Sequence, residues 1–150
     1  MNTLAWLDRL TSIDTTSRNS NLGLIETVRD ALKGHGLDPW LNLNAEGTKA
    51  NLFCTLPAQD GATQGGIALS GHTDVVPVDG QKWSSDPFKL TENAGKLYAR
   101  GACDMKGFIA ASLALVPEFM ALPRSKPMHL ALSYDEEISC LGAPFMLVAL

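Results

Sequence analysis

The sequence predicts an α/β fold: a layered, mostly parallel sheet with helices on both faces. Three observations carry that expectation. Stretches of helical apolar spacing alternate along the chain with short β-type runs. The apolar and charged fractions, 45% and 19%, are those of a folded globular chain. Finally, 150 residues suffice for one domain with its own core.

The elements follow in order. Leu4, Leu7 and Leu10 with Trp6 form a helical stripe, and a second helix runs from about Leu22 to Lys33, ended by Gly34 and Gly36. Leu37 to Leu43 reads as a strand, and "ANLFCTLP" as another closed by Pro57. "QDGATQGG" is a turn, and "GIALSGH" is expected to be a buried strand. "VDGQKWSSDPFKLTENAGK" has the Gly, Pro, Asp and Ser density of a long surface loop. After Gly107, Phe108, Ile109, Ser112, Leu113, Val116, Phe119 and Met120 recur at helical spacing, with Pro117 expected to kink that helix or end its regular part. "PMHLALSY" alternates, with Met128, Leu130, Leu132 and Tyr134 on one face. No internal repeat or low-complexity tract is visible.

Charge and composition exclude several classes. A net charge of -4 without a basic block argues against a nucleic-acid partner. "FIAASLALVPEFMAL" contains Glu118 and Pro117 and is too short for a bilayer, so a core helix is expected and no membrane partner. "MNTLAWLDRLTSID" lacks the pattern of a signal peptide. Cys54, Cys103 and Cys140 are an odd set without CxxC spacing, which fits a reduced, cytoplasmic setting.

Three polar clusters stand where apolar runs stop. "LSGHTDVVP" places His72 and Asp74 after one strand, "GACDMKG" places Asp104 in a Gly-flanked turn before a helix, and "SYDEE" places Asp135, Glu136 and Glu137 after another strand. Ligands of open α/β sheets bind outside the carboxyl ends of the strands, so the three clusters are expected on one edge. Each has a plain alternative: a hydrogen-bonded strand-end histidine, an aspartate N-cap, and glutamates favouring a helix N-terminus. Together, however, they have the composition of a metal-assisted hydrolytic site. A carboxylate near a histidine can fix its tautomer, and adjacent acids at a strand end point to opposite sides, dividing ligand from base. His35 and His129 are expected to be structural, and Lys106 a solvated or structural partner of Asp104. Cys103 as a nucleophile with His72 would leave the carboxylates without a role.

"SGHTDVVP", "WSSDPFKL", "LYARGACDMKG" and "SYDEEISCLGAP", with "GTKANLF", resemble the N-terminal part of the M20 family of zinc-dependent amidohydrolases and peptidases, from about Leu4 onward. The resemblance implies that His72 binds one zinc, Asp74 orients it, Asp104 bridges two zinc ions, Glu136 is the general base and Glu137 a ligand of the second zinc. Cobalt or manganese accept the same donors. It also implies a small-molecule N-acyl amino acid substrate, with N-acetylornithine, succinyl-diaminopimelate, other N-acyl amino acids and dipeptides as candidates. In the family, further ligands and a lid and dimerisation domain come from segments beyond those matched here, so residues 1–150 would be the first part of a catalytic domain of a homodimer. The competing expectation, from another class, is a non-catalytic short remnant or interaction module.

Overall fold

The computed structural model describes residues 1–150. Two helices come first, α1 (Thr3–Thr11) and α2 (Leu22–Gly34). Then follow β1 (Trp40–Leu43), β2 (Ala50–Leu56), β3 (Ile67–His72) and a hairpin of β4 (Thr91–Asn93) and β5 (Lys96–Tyr98). Helices α3 (Gly107–Ala114) and α4 (Val116–Ala121), strand β6 (Met128–Ser133) and helix α5 (Gly142–Ala149) complete the chain.

Helix α1 starts where the Asn2 side chain accepts the Ala5 N–H at 2.9 Å, satisfying one of the donors a helix start leaves free. It buries Trp6, Leu7 and Leu10, whereas Leu4 is exposed. The expected stripe was too wide, because on a helix of 3.6 residues per turn Leu4 lies about 60° beyond Leu7. Strand β1 begins at Trp40, later than expected, just after Pro39, which has no N–H for a ladder. Pro117 lies in the first turn of α4 and separates it from α3, as its missing N–H requires.

The main sheet has the order β1-β2-β6-β3. It is mixed rather than mostly parallel: β1–β2 and β2–β6 are antiparallel, and β3–β6 is parallel. The short link from Leu43 to Ala50 cannot hold a crossover, so β1 and β2 form a hairpin. Strand β3 is an edge rather than a buried strand. It pairs with β6 alone, Ile67 is 64% exposed, and only Gly71 and His72 at its end are buried. Within the expected long loop, the β4–β5 hairpin turns through Ala94 and Gly95, both at positive φ (51° and 73°), the geometry of a tight hairpin turn.

Alternation along β2 divides the two faces. Ala50, Leu52, Cys54 and Leu56 join Leu130 and Leu132 in the core against α1, α2 and α3. Each such buried leucine contributes about 1.5–3 kcal/mol of transfer free energy. On the opposite face the Asn51 amide donates to the Gly142 carbonyl at 2.9 Å and fixes the start of α5. His129 on this face is stacked on Phe53 and hydrogen-bonded to Thr55 and the Gly65 carbonyl, a satisfied structural histidine. Helix α5 leaves Phe145, Leu147 and Val148 exposed. No helix is long and apolar enough to cross a membrane.

Candidate metal centre

The parallel pairing of β3 with β6 brings two polar clusters together, because His72 is in register with Ser133. His72 and Asp74 then leave β3 beside the point where Asp135, Glu136 and Glu137 leave β6. The third cluster arrives on an irregular turn, Ala102–Lys106, whose Asp104 and Met105 have non-helical backbone angles. The glycines there are structural necessities. Gly101 has φ +76°, and a Cβ on Gly107 would lie 2.4 Å from the Ala102 carbonyl oxygen. Asp104 is thereby turned toward His72.

His72 is 6% exposed and its ring is engaged at both nitrogens. Nδ1 donates to the Asp74 backbone carbonyl at 3.0 Å, while the Asp74 carboxylate Oδ1 is farther off at 3.5 Å. A carbonyl only accepts, so Nδ1 carries a hydrogen and Nε2 is left to face the acids. Nε2 lies 2.9 Å from Asp104 Oδ1 and 3.8 Å from Glu136 Oε2. Burial pulls the His72 imidazole down, and its contacts with Asp74 and Asp104 outweigh that, lifting its pKa to about 9.

Asp74, 2% exposed, has its closest partners elsewhere. Its carboxylate accepts the Ser17 hydroxyl at 2.7 Å, the Glu136 N–H at 3.0 Å and the Glu137 N–H at 3.2 Å. Burial pushes the carboxyl up, but the contact with His72 and these hydrogen bonds leave it below the usual carboxylate range. Glu137 moves the other way. Burial raises its pKa, the negative charges of Asp104, Asp74 and Glu136 add to that, and His72 opposes them.

His72, Glu136 and Glu137 each offer one ligand atom, and those atoms lie within 4.8 Å of one another. Asp104 meets this group through His72. Glu136 and Glu137 thus stand close to each other and to His72. One nitrogen and three carboxylates form a donor set that suits zinc. A tetrahedral zinc holds its ligand atoms about 3.4 Å apart, so the observed envelope is wide, and the rotatable glutamate side chains can close it. The donor set fits a metal ion.

Other residues at the centre escape a reading of the sequence. Lys106, expected to be solvated or structural, is fully buried and donates to the Ile13 carbonyl at 2.7 Å; burial brings its pKa down to about 8. Lys49 binds Asp135 through both carboxylate oxygens, at 2.5 and 2.6 Å, and so supplies the cation that three consecutive acids need. Asn21 bonds the Ala50 carbonyl and N–H and the Thr73 hydroxyl, tying the start of α2 to β2 and to the end of β3. The only sequence signal for Lys49 is its place in "GTKANLF".

Comparison with known proteins agrees with this architecture. The family model described as peptidase family M20/M25/M40 matches residues 68–149. Solved structures with the same fold include human carnosine dipeptidase 1, with TM-score 0.75 and 26% identity over 90% of this chain and 32% of that one. An M20 family metallo-carboxypeptidase from Sulfolobus solfataricus superposes with TM-score 0.77 at 23% identity, covering 98% of this chain and 34% of that one. The chain belongs to peptidase family M20/M25/M40. It is also 39% identical, over 135 residues and 89% of its length, to a protein named acetylornithine deacetylase from Pasteurella multocida (strain Pm70). It spans 34% of that relative's length.

Proposed function

We propose that this chain is the first part of the catalytic domain of a zinc-dependent amide hydrolase that deacetylates N-acetyl-L-ornithine to ornithine and acetate, a step of arginine biosynthesis. The observation that carries the chemistry is the convergence of His72 Nε2, Asp104, Glu136 and Glu137 at the ends of a parallel strand pair. The substrate rests on the 39% identity to the acetylornithine deacetylase.

In this reading His72, Asp104 and Glu137 would hold zinc, with further ligands coming from the remainder of a longer, homodimeric protein. Bound zinc supplies electrophilic stabilisation of the amide oxygen and lowers the pKa of water. Glu136, whose side chain is 47% exposed, is the base: it accepts a proton from the attacking water and returns it to the departing amine, so that one water is consumed per amide cleaved. Asp74 and its backbone carbonyl keep the His72 ring turned so that Nε2 faces the acids. Cobalt would fill the same donor set. Three unpaired cysteines suit a reducing, cytoplasmic setting. A second reading, dipeptide hydrolysis, draws on the 26% identity to carnosine dipeptidase 1.

The test begins with the intact mass of the protein from its natural source. The protein at that length, loaded with zinc, is then assayed for ornithine release from N-acetylornithine beside succinyl-diaminopimelate and dipeptides. Glu136→Gln should lower turnover by about 10²–10⁴-fold while zinc content is kept. Retained turnover would remove Glu136 from its role; hydrolysis of dipeptides alone would replace the substrate.

A further inference from the structure

Six residues form a closed polar circuit around the centre. Ser17, in the connection between α1 and α2, donates its hydroxyl to Asp74 Oδ2 at 2.7 Å, and its backbone carbonyl accepts from Lys49 Nζ at 2.5 Å. Lys49 Nζ also donates to both oxygens of Asp135. Asp135 is followed directly by Glu136 and Glu137, and their N–H groups return to the Asp74 carboxylate. The circuit therefore ties the end of β3, which carries His72, to the end of β6, which carries the two glutamates.

The Lys49–Asp135 pair is built as a fixture rather than a surface contact. The two side chains are 14% and 7% exposed, and the ammonium's three short contacts use all of its hydrogens. Asp135 sits at φ +55°, a left-handed conformation in which aspartate is tolerated better than most residues. A glycine would meet that backbone demand more easily, but it would give Lys49 nothing to bind. Pairing with Lys49 also withdraws Asp135 from the acids available to a cation, leaving Glu136 and Glu137.

We propose that Lys49 is a positioning residue: by holding Asp135 against Ser17, it sets the direction of Glu136 and Glu137 relative to His72. The link to metal binding rests on the functional reading above; the positioning itself does not.

The experiment compares the full-length protein with its Lys49→Met/Asp135→Asn variant, which removes both charges so that neither is left buried and alone. Two quantities are read: amide hydrogen exchange without metal, and Co²⁺ affinity from the visible absorption of the bound ion. The Glu136 and Glu137 amides should exchange at least about tenfold faster, as loss of a hydrogen bond to a charged group implies, while the Leu130 and Leu132 amides keep their protection. Co²⁺ affinity should fall by roughly 10–100-fold, the usual cost of disturbing the groups that orient metal ligands. A folded double variant with unchanged exchange at Glu136 and Glu137 overturns the proposal. Should that variant not fold, Asp135→Asn alone, which keeps the Lys49 ammonium and one acceptor oxygen, is judged by the same exchange criterion. If the full-length protein takes up no Co²⁺, the zinc reading falls, and the exchange result still decides the role of Lys49.

Discussion

Asp74→Asn is the most informative single substitution at the centre, because the carboxylate accepts on both oxygens. Oδ1 takes the Glu136 N–H, while Oδ2 takes the Ser17 hydroxyl and the Glu137 N–H. An asparagine has one accepting oxygen. With its NH₂ in the Oδ1 position, the Glu136 N–H faces a donor. With NH₂ in the Oδ2 position, the Ser17 hydroxyl can rotate to accept, but the Glu137 N–H is stranded. Either way one backbone N–H loses its partner, at a cost of about 1–3 kcal/mol, and the surviving bonds lose their charge assistance. Relief of the carboxylate's burial offsets part of this, leaving a net destabilisation of about 2–3 kcal/mol. Urea unfolding with EDTA present, followed by the fluorescence of buried Trp6, measures it. At a slope of about 2 kcal/mol/M the midpoint should drop by about 1–1.5 M, with the slope unchanged. A shift under about 0.3 M at equal slope would refute the hydrogen-bond inventory on which the account of Asp74 depends.

Three further outcomes are expected. Cys103 and Cys140 are exposed while Cys54 is buried, its pKa pushed up to about 11 by burial and by the charge of Asp38, so a thiol reagent at pH 8 should titrate two thiols in the native chain and three in urea. Gly101→Ala would place a Cβ 2.5 Å from Val75 Cγ1 at φ +76°, and should cost about 1–3 kcal/mol in a thermal or urea melt while displacing the Asp104 turn. Val148→Asp, at a site 91% exposed on α5, should change unfolding free energy by less than about 0.5 kcal/mol and reduce any self-association seen by sedimentation.

The sequence exposed helices α1 to α4, four main strands and three polar clusters because each is a local pattern. Helical spacing, β-type alternation and glycines flanking Asp104 can all be read within a few residues. Strand direction and sheet order are not local. The run "GIALSGH" has the same composition whether β3 lies inside a sheet or at its edge, and only the pairing with β6 alone makes it an edge. The hairpin between β1 and β2 was signalled by their six-residue link, and that signal contradicted a mostly parallel sheet. The Ala94–Gly95 turn was similarly present inside the expected loop. Lys49 was beyond reach: its partner Asp135 is 86 positions away, and neither residue's neighbours announce the other. Glu136 and Glu137 were recognised as a pair of acids, but their N–H bonds to Asp74 depend on a contact across about 60 positions.

The position of β6 has a consequence for how the protein is made. In sequence β6 is the last strand, yet in space it lies between β2 and β3. As the chain leaves the ribosome, β2 and β3 are synthesised well before residues 128–133 emerge, and until then each has a bare edge where its central partner belongs. Until the slot between them is filled, those edges are open to wrong partners. His72 waits at one side of the slot, and it meets Glu136 and Glu137 only when the slot is filled.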